Sequence, residues 1–341
     1  MLKVTGENSV KLYNNMASNP SEAPEALIKT SRGNKYVSNG KSVVALVRSN
    51  DRSTALREVL KLLGGLDCVL EGLTGTVLLK PNCNTDDPFP ASTHPEMVKL
   101  IAELLINHGI PSSNIIVGDM SGQARGLPTK WTMKNIGLTK VADDLGLRLS
   151  FFEEEEWVTV THPKMHHWPK GVRIPRCLYE ADRVISLPVM KTHRSATFTL
   201  SLKSAVGVTD PFGRNWLHNG EALNEKIAEL NLAYTTDLTI LDGIKCFITR
   251  GPAEGKLAQP GIVIAGGDKV AVDAVGVAVL KQFEAEKIAN RRINDHVQLR
   301  WAEQIGLGNL DIGKINIRTS NPEKDSEFSD LLSNIKKDLY C

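Results

Sequence analysis

The sequence lacks the features that define several large classes of protein. None of its apolar runs approaches the roughly 20 residues that a membrane-spanning helix needs. The first residues form no continuous apolar segment, so we expect no secretory signal there. The net charge is only +2 and the basic residues are dispersed, which leaves no electrostatic footprint for a nucleic acid. We therefore expect neither a membrane nor a nucleic acid among the partners.

Cysteine is scarce, and the cysteines are scattered along the chain at Cys68, Cys83, Cys177, Cys246 and Cys341. No two of them form a CxxC pair, which excludes a zinc ribbon and a ferredoxin-type cluster motif. A sparse and odd set is typical of reduced thiols. This pattern predicts a cytoplasmic protein that binds no iron–sulfur cluster.

Short apolar runs and helical patterns alternate along the chain. Such alternation predicts an α/β fold with a mainly parallel sheet and helices on both faces, and it leaves open two sub-domains that share a cleft. We expect an irregular N-terminal extension over residues 1–40 and a single α/β domain over 41–319. Residues 320–341 are predicted to form a polar C-terminal tail that packs one short helix. Asp273 lies within an apolar helical pattern, so it should find a partner.

Charged residues follow several predicted strands at their carboxyl ends. Lys80 comes directly after the apolar run 75–79, and Asp119 and Asp242 end two later runs. Ligands of open α/β sheets bind outside the carboxyl ends of the strands. We therefore predict a binding site there, although no GxGxxG dinucleotide fingerprint follows Asp119.

The segment after Lys80 favours an anion. Asn82 can take a turn conformation, and either Thr93 or His94 would cap a helix that begins near Pro95. The unpaired N–H groups of a helix N-terminus attract negative charge. The alternative is ordinary loop chemistry, in which Asn82 makes a turn and Thr93 only caps the helix.

The stretch ADRVISLPVMKTHRSATFTLSLKSAVG, residues 181–207, has the densest set of candidate functional groups. A buried strand is followed by Lys191 and His193, and a second apolar run leads to Lys203 and Ser204. Two ammonium groups and an imidazole suit a carboxylate or a phosphate. The alternative is that the lysines are solvated and that His193 caps a turn.

The stretch THPKMHHWPK, residues 161–170, is the richest in histidine. His162, His166 and His167 could ligate a transition metal, but Pro163 and Pro169 argue against a helix that would hold them in place. A usable metal site needs preset geometry. We therefore expect an exposed loop or a hairpin here.

Several motifs occur in one order: LLKPN, STHPE, VGDMSG, DRVISLPVMKTH, LSLKSAVG and LDG. With them the chain resembles the family called domain of unknown function 362, from about Val44 to about Ile317. Many members carry a ferredoxin-like iron–sulfur segment, whose clustered cysteines this chain lacks. Members commonly have Lys-Asn where this chain has Lys203 and Ser204, which removes an amide donor. The resemblance supports the location of the site rather than any one chemistry.

The first function hypothesis is an enzyme, of a lyase or oxidoreductase-like class, that acts on a small anionic carboxylate or phosphate. A histidine would serve as general acid or base, and lysines would hold the anion. The predicted catalytic residues are His193, Lys191, His94 and His218. The predicted substrate-binding residues are Lys80, Asn82, Thr93, Lys203 and Ser204.

Two other hypotheses stay open. A metal-dependent or redox-associated enzyme would hold a divalent metal through Asp119, Asp242, His193 and His218. A non-catalytic module would bind a small ligand without turnover. No cofactor is identified by the sequence: a divalent metal is allowed, and a flavin has no signature. The expected partner is a small anionic molecule, and a homo-oligomer is compatible with the sequence.

Overall fold

The structure is a computed structural model that describes residues 6–340. The helices, in chain order, are α1 (Gly6–Ser18), α2 (Arg52–Leu63), α3 (Asp67–Leu70), α4 (Pro95–Asn107), α5 (Thr129–Asn135), α6 (Leu138–Leu145), α7 (Arg176–Glu180), α8 (Ser201–Ser204), α9 (Pro211–His218), α10 (Leu223–Leu230), α11 (Lys269–Gln282), α12 (Val297–Gln304) and α13 (Phe328–Tyr340). The strands are β1 (Glu25–Ala26), β2 (Val37–Ser38), β3 (Lys41–Arg48), β4 (Val77–Pro81), β5 (Ile115–Asp119), β6 (Arg148–Phe151), β7 (Trp157–Val160), β8 (Val172–Pro175), β9 (Arg183–Leu187), β10 (Lys191–His193), β11 (Thr197–Thr199), β12 (Leu238–Gly243), β13 (Cys246–Phe247), β14 (Leu257–Ala258), β15 (Ile262–Gly266) and β16 (Ile315–Ser320).

The chain divides into two compact units. Unit 1 comprises the residues up to Ser31, Leu73–Ile185 and Ala205–Thr235. Unit 2 comprises Arg32–Gly72, Ser186–Ser204 and the residues from Thr236 onward. Strands and helices alternate in both units, and the predicted α/β class is confirmed. No helix in the described part of the chain has the length and apolarity needed to cross a bilayer.

Unit 1 contains the parallel strands that the apolar runs predicted. Strands β4, β5 and β6 pair in parallel, with Val77 opposite Ile115 and Gly118 opposite Ser150. Every residue of β4 and β5 is buried, as expected for parallel strands that are covered on both faces. Because β4 and β5 are parallel neighbours, their carboxyl ends lie at the same edge of the sheet.

A hairpin in unit 1 carries the histidine-rich stretch. Strands β7 and β8 pair antiparallel, from Trp157 opposite Pro175 to Val160 opposite Val172. The intervening residues 161–171 form the loop, in agreement with the predicted loop or hairpin. Strand β1 joins β7 in parallel and completes a small sheet.

Residues 6–18 form helix α1, whereas we predicted an irregular extension over residues 1–40; residues 1–5 lie outside the described part. The helix buries Ser9, Tyr13 and Ala17. Its hydroxyl at Ser9 donates a hydrogen bond to the carbonyl oxygen of Leu127 at 2.7 Å. A buried face built from a serine, a tyrosine and an alanine gives almost no apolar periodicity, which explains why the sequence pattern missed the helix.

Unit 2 contains a mixed sheet with the order β16-β3-β15-β12. Strand β16 pairs with β3 in parallel, but β15 runs antiparallel to both of its neighbours, a detail that the alternating pattern did not predict. Helix α11 packs against β15 and β12, and α13 packs on α11. Helix α13 is thus the packed helix predicted for the tail; Cys341 lies outside the described part.

Asp273 in α11 has the partners that its burial required. Its carboxylate is fully buried and accepts hydrogen bonds from the backbone N–H groups of Ser201 and Leu202 at 2.8 and 2.9 Å. The hydroxyl of Ser201 donates to the same carboxylate. Asp273 therefore fixes the start of α8, the short helix that carries Lys203 and Ser204.

His296 in unit 2 should make stability depend on pH. The residue is 3% exposed, and its ring lies edge-on to Phe198 with 5.4 Å between centroids. The pKa of His296 is lowered from 6.5 to about 4, mainly by burial and in part by the charges of Arg291 and Lys281, with Asp295 opposing them. Because the unfolded chain binds the proton more readily, this stabilising contribution is complete above pH 6.5 and is lost as the pH falls from 6.5 to about 4.

We expect His296→Gln to remove this pH dependence. The free energy of unfolding of the wild type should fall by about 3 kcal/mol relative to the variant between pH 7 and pH 4. Urea unfolding of both proteins at several pH values measures the difference. Parallel pH profiles for the two proteins would show that His296 is not the group responsible.

Candidate functional site

A buried ion pair joins the carboxyl ends of β4 and β5. Nζ of Lys80 lies 2.9 Å from Oδ1 of Asp119, and both side chains are almost completely buried. The second carboxylate oxygen of Asp119 accepts a hydrogen bond from the backbone N–H of Cys83 at 2.7 Å. Nζ of Lys80 also donates to the carbonyl oxygen of Pro81 at 3.2 Å. The structure thus brings together two of the strand-end charges that the sequence singled out.

Gly207 lies directly against this ion pair. A Cβ atom at this position would be 2.1 Å from Oδ1 of Asp119 and 2.9 Å from Nζ of Lys80. No side chain can occupy that space without moving the pair. The small residue at the end of the SLKSAVG motif is therefore required by the close approach of the backbone to Lys80 and Asp119.

The loop between β4 and α4 is closed by a reciprocal pair of hydrogen bonds. The N–H of Asn82 donates to Oγ1 of Thr93 at 2.8 Å, and the N–H of Thr93 donates to the carbonyl oxygen of Asn82 at 2.9 Å. His94 is the N-cap of α4, and its Nδ1 accepts from the N–H of Glu96 at 3.3 Å. The loop contacts hold the start of α4 near the carboxyl end of β4.

Arg214 in α9 is a functional candidate that sequence reasoning passed over. Its guanidinium is buried and donates to the carbonyl oxygens of Met120 and Ser121, at 2.5 and 2.6 Å, and to that of Thr209 at 3.2 Å. Burial lowers the pKa of Arg214. The guanidinium fixes the loop that directly follows Asp119 and places a positive charge beside it. The sequence carries no local signal for this contact, because α9 lies far along the chain from β5.

Lys191 and His193 lie on β10, which pairs antiparallel with β11 in unit 2. Lys191 is buried. Nδ1 of His193 accepts hydrogen bonds from the N–H groups of Ser195 and Ala196 at 3.2 and 3.1 Å. These contacts are the turn cap that the sequence left open as an alternative, and they place the ring proton of a neutral imidazole on Nε2.

Two predicted metal ligands are each engaged by a basic side chain of their own unit. Asp242 in unit 2 accepts from Nε of Arg52 at 2.8 Å, and Asp119 in unit 1 is paired with Lys80. His218 is exposed at the end of α9. No group of three or more histidine, cysteine or acidic residues within residues 6–340 could hold a metal. The metal site stays a prediction without support from the geometry.

The histidine-rich loop makes structural contacts. His167 donates its backbone N–H to Oε2 of Glu229 at 2.8 Å, and its Nδ1 lies 2.7 Å from Oε1 of the same carboxylate. Nδ1 of His162 accepts from the N–H of Lys164 at 3.0 Å. These contacts orient the loop, and the three histidines form no metal cluster among the described residues.

Comparisons with known proteins identify relatives over much of the chain. The family described as Domain of unknown function (DUF362) matches residues 77–278, a range that contains Lys80, Asp119 and Gly207. The thylakoid-associated protein sll1697 of Synechocystis sp. is 29% identical over 253 residues, which cover 70% of this chain and 74% of that protein. The lactate racemase apoprotein from Thermoanaerobacterium thermosaccharolyticum aligns with a TM-score of 0.39 and 12% identity over 87% of each chain. That structural likeness is too weak to carry an argument.

Substitution of Gly207 by alanine should destabilise unit 1. The added Cβ would displace Lys80 or Asp119, and overpacking of this kind costs about 1–3 kcal/mol. Gly6→Ala is the matched control, because a Cβ there meets only Cγ of Arg125 at 3.4 Å. Urea unfolding measures both variants. Equal stabilities of the two variants would contradict the close packing of Gly207 on the ion pair.

Proposed function

Because the chain belongs to the domain of unknown function 362 family, whose model matches more than half of it, we propose one activity for the strand-end site of this chain. The protein is an enzyme that acts on a small anionic substrate, a carboxylate or a phosphate. The observation that carries this proposal is the buried Lys80–Asp119 pair at the carboxyl ends of two parallel strands.

The pair is hard to explain by stability alone. Removing an ammonium and a carboxylate from water is costly, and a buried ion pair is often no more stabilising than well-packed apolar side chains of similar volume. This pair also requires a glycine at position 207. A charged pair in that setting, at the edge where α/β sheets bind ligands, indicates a role in function.

Two positive groups near the pair would attract an anion. Arg214 adds a buried guanidinium whose close contacts are with backbone carbonyl oxygens. The N-terminus of α4 contributes the positive end of a helix dipole. We assign anion binding to Lys80, Asn82 and Thr93, and general acid–base chemistry to the imidazole of His94.

The roles assigned to unit 2 rest on the sequence motifs. We retain Lys191 and His193 as catalytic residues and Lys203 and Ser204 as binding residues, and His218 in unit 1 as a further catalytic candidate. With Nδ1 of His193 occupied as an acceptor, Nε2 is the atom that would donate a proton. The cytoplasmic location of the chain stays a prediction; the name of the Synechocystis relative associates that protein with thylakoids.

The double variant Lys80→Met with Asp119→Asn tests the proposal. Lys80→Met alone leaves a buried carboxylate without its cation and should cost about 3–5 kcal/mol. The double variant removes both charges, and its asparagine oxygen can still accept from Cys83, so we expect it to recover most of that stability but to lack turnover. The assay incubates each protein with a deproteinised metabolite extract and identifies consumed anions by mass spectrometry.

The control is a second ion pair away from the predicted site. Nζ of Lys281 lies 2.8 Å from Oδ1 of Asp338 between α11 and α13. Lys281→Met with Asp338→Asn should leave consumption of the anion unchanged. Full turnover by the Lys80/Asp119 double variant, or no anion consumed by the wild type, would refute the proposed activity.

Two substitutions of His193 separate catalysis from capping. An asparagine side-chain oxygen can accept hydrogen bonds from the N–H groups of Ser195 and Ala196, whereas alanine has no acceptor. We expect His193→Asn to unfold at nearly the wild-type temperature and His193→Ala to be less stable, with turnover lost in both. Full turnover by the asparagine variant would show that His193 only caps the turn.

A further inference from the structure

Unit 1 contains a cavity of about 450 Å³ that does not include Lys80 or Asp119, and we call it the aromatic pocket. It is formed by the histidine-rich hairpin loop, the start of α9 and the segment after α1. The side chains that define its chemistry are Trp168, Lys170, Arg173, Asp210, Phe212 and Trp216. Small-molecule sites in proteins commonly have volumes of about 300–1,000 Å³, so the pocket has the size of a ligand site.

Two aromatic rings of the pocket, those of Phe212 and Trp216, are about half exposed, whereas Trp168 in the pocket wall is buried. Phe212 is 46% exposed and Trp216 is 45% exposed. The indole N–H of Trp216 donates to the carbonyl oxygen of His167 at 2.8 Å, and that of Trp168 donates to the carbonyl oxygen of Lys226 at 3.0 Å. Fixed aromatic surfaces lose little conformational freedom when a planar molecule stacks on them.

The charges around the pocket are predominantly positive. Arg173 and Asp210 neutralise each other at 2.8 Å, and Asp210 also accepts from the N–H of Gly213. Nζ of Lys226, which does not line the pocket, lies 4.7 Å from the ring centroid of Trp216 and donates to the carbonyl oxygens of Trp216 and Asn219. Lys170 lines the pocket, is exposed, and makes no ion pair with any residue between positions 6 and 340. Aromatic walls also attract cations, but these ammonium groups disfavour a cationic ligand.

We propose that the aromatic pocket binds a small planar aromatic compound that carries one anionic group. The rings of the compound stack on the half-exposed rings of Phe212 and Trp216, and its carboxylate, sulfonate or phosphate lies against Lys170. The residues that bind this compound are different from those assigned to the proposed enzyme activity, so either assignment can fail without the other.

The test uses the complete chain and two fluorescent probes that differ in charge. 1-Anilinonaphthalene-8-sulfonate has two aromatic ring systems and one sulfonate, and N-phenyl-1-naphthylamine has the same rings without the charge. We expect saturable binding of the sulfonate at one site per chain. Trp216→Ala should lower the affinity for both probes about tenfold, because one stacking surface is lost. Lys170→Ala should lower the affinity for the sulfonate severalfold and leave the affinity for the neutral probe unchanged.

Matched controls lie outside the pocket. Trp131→Ala removes a tryptophan that also has a lysine near its ring, and Lys164→Ala removes an exposed lysine of the same hairpin loop. Both should bind the probes as the wild type does, and thermal unfolding by circular dichroism verifies that every variant folds. Absence of saturable binding, or equal binding by the pocket and control variants, would overturn the proposal. It would also be overturned by a dimer, seen in sedimentation, that Trp216→Ala dissociates, because a second copy would then cover the aromatic rings.

Discussion

The structure around the Lys80–Asp119 ion pair in unit 1 depends on keeping this pair hydrogen-bonded while it is buried. Two opposite charges can be buried only if the remaining donors and acceptors are satisfied. The backbone N–H of Cys83 and the carbonyl oxygen of Pro81 meet that requirement. Pro81 ends β4 and Cys83 lies in the loop that follows, so the course of this loop is tied to the carboxylate at the end of the neighbouring strand.

The same requirement links the two loops that leave β4 and β5. The hydroxyl of Ser121 donates to the carbonyl oxygen of Cys83 at 2.6 Å, and the N–H of Gly122 donates to that of Asn84 at 2.7 Å. The guanidinium of Arg214 donates to the carbonyl oxygens of residues 120 and 121 in the second loop. Hydrogen bonds to backbone groups therefore order both loops. Such order would let polar groups face a ligand without a large reorganisation cost.

Local patterns predicted the parts of this arrangement that depend on neighbours in sequence. The apolar runs located β4 and β5, and their parallel pairing follows from the alternation of strands and helices; together they place Lys80 and Asp119 at one edge. The burial of Asp273 likewise predicted a partner. Long-range polar contacts have no such signal. The guanidinium of Arg214 contacts Ser121 and Met120, which precede it by 93 and 94 positions in the sequence. The antiparallel direction of β15 was also missed, because the residue pattern of an apolar strand does not depend on the direction in which the strand runs.

One turn of α9 connects the strand-end loops to the aromatic pocket. Asp210 caps this helix through the N–H of Gly213 and faces Arg173 in the pocket, whereas Arg214 extends to the loop after Asp119. A change at Asp210 would disturb the helix start and therefore both regions at once. Trp216 and Lys170 do not have this double connection, since Trp216 is half exposed and Lys170 lies on the hairpin loop. For this reason the chemistry of the pocket can be altered at those two side chains while the ion pair keeps its surroundings.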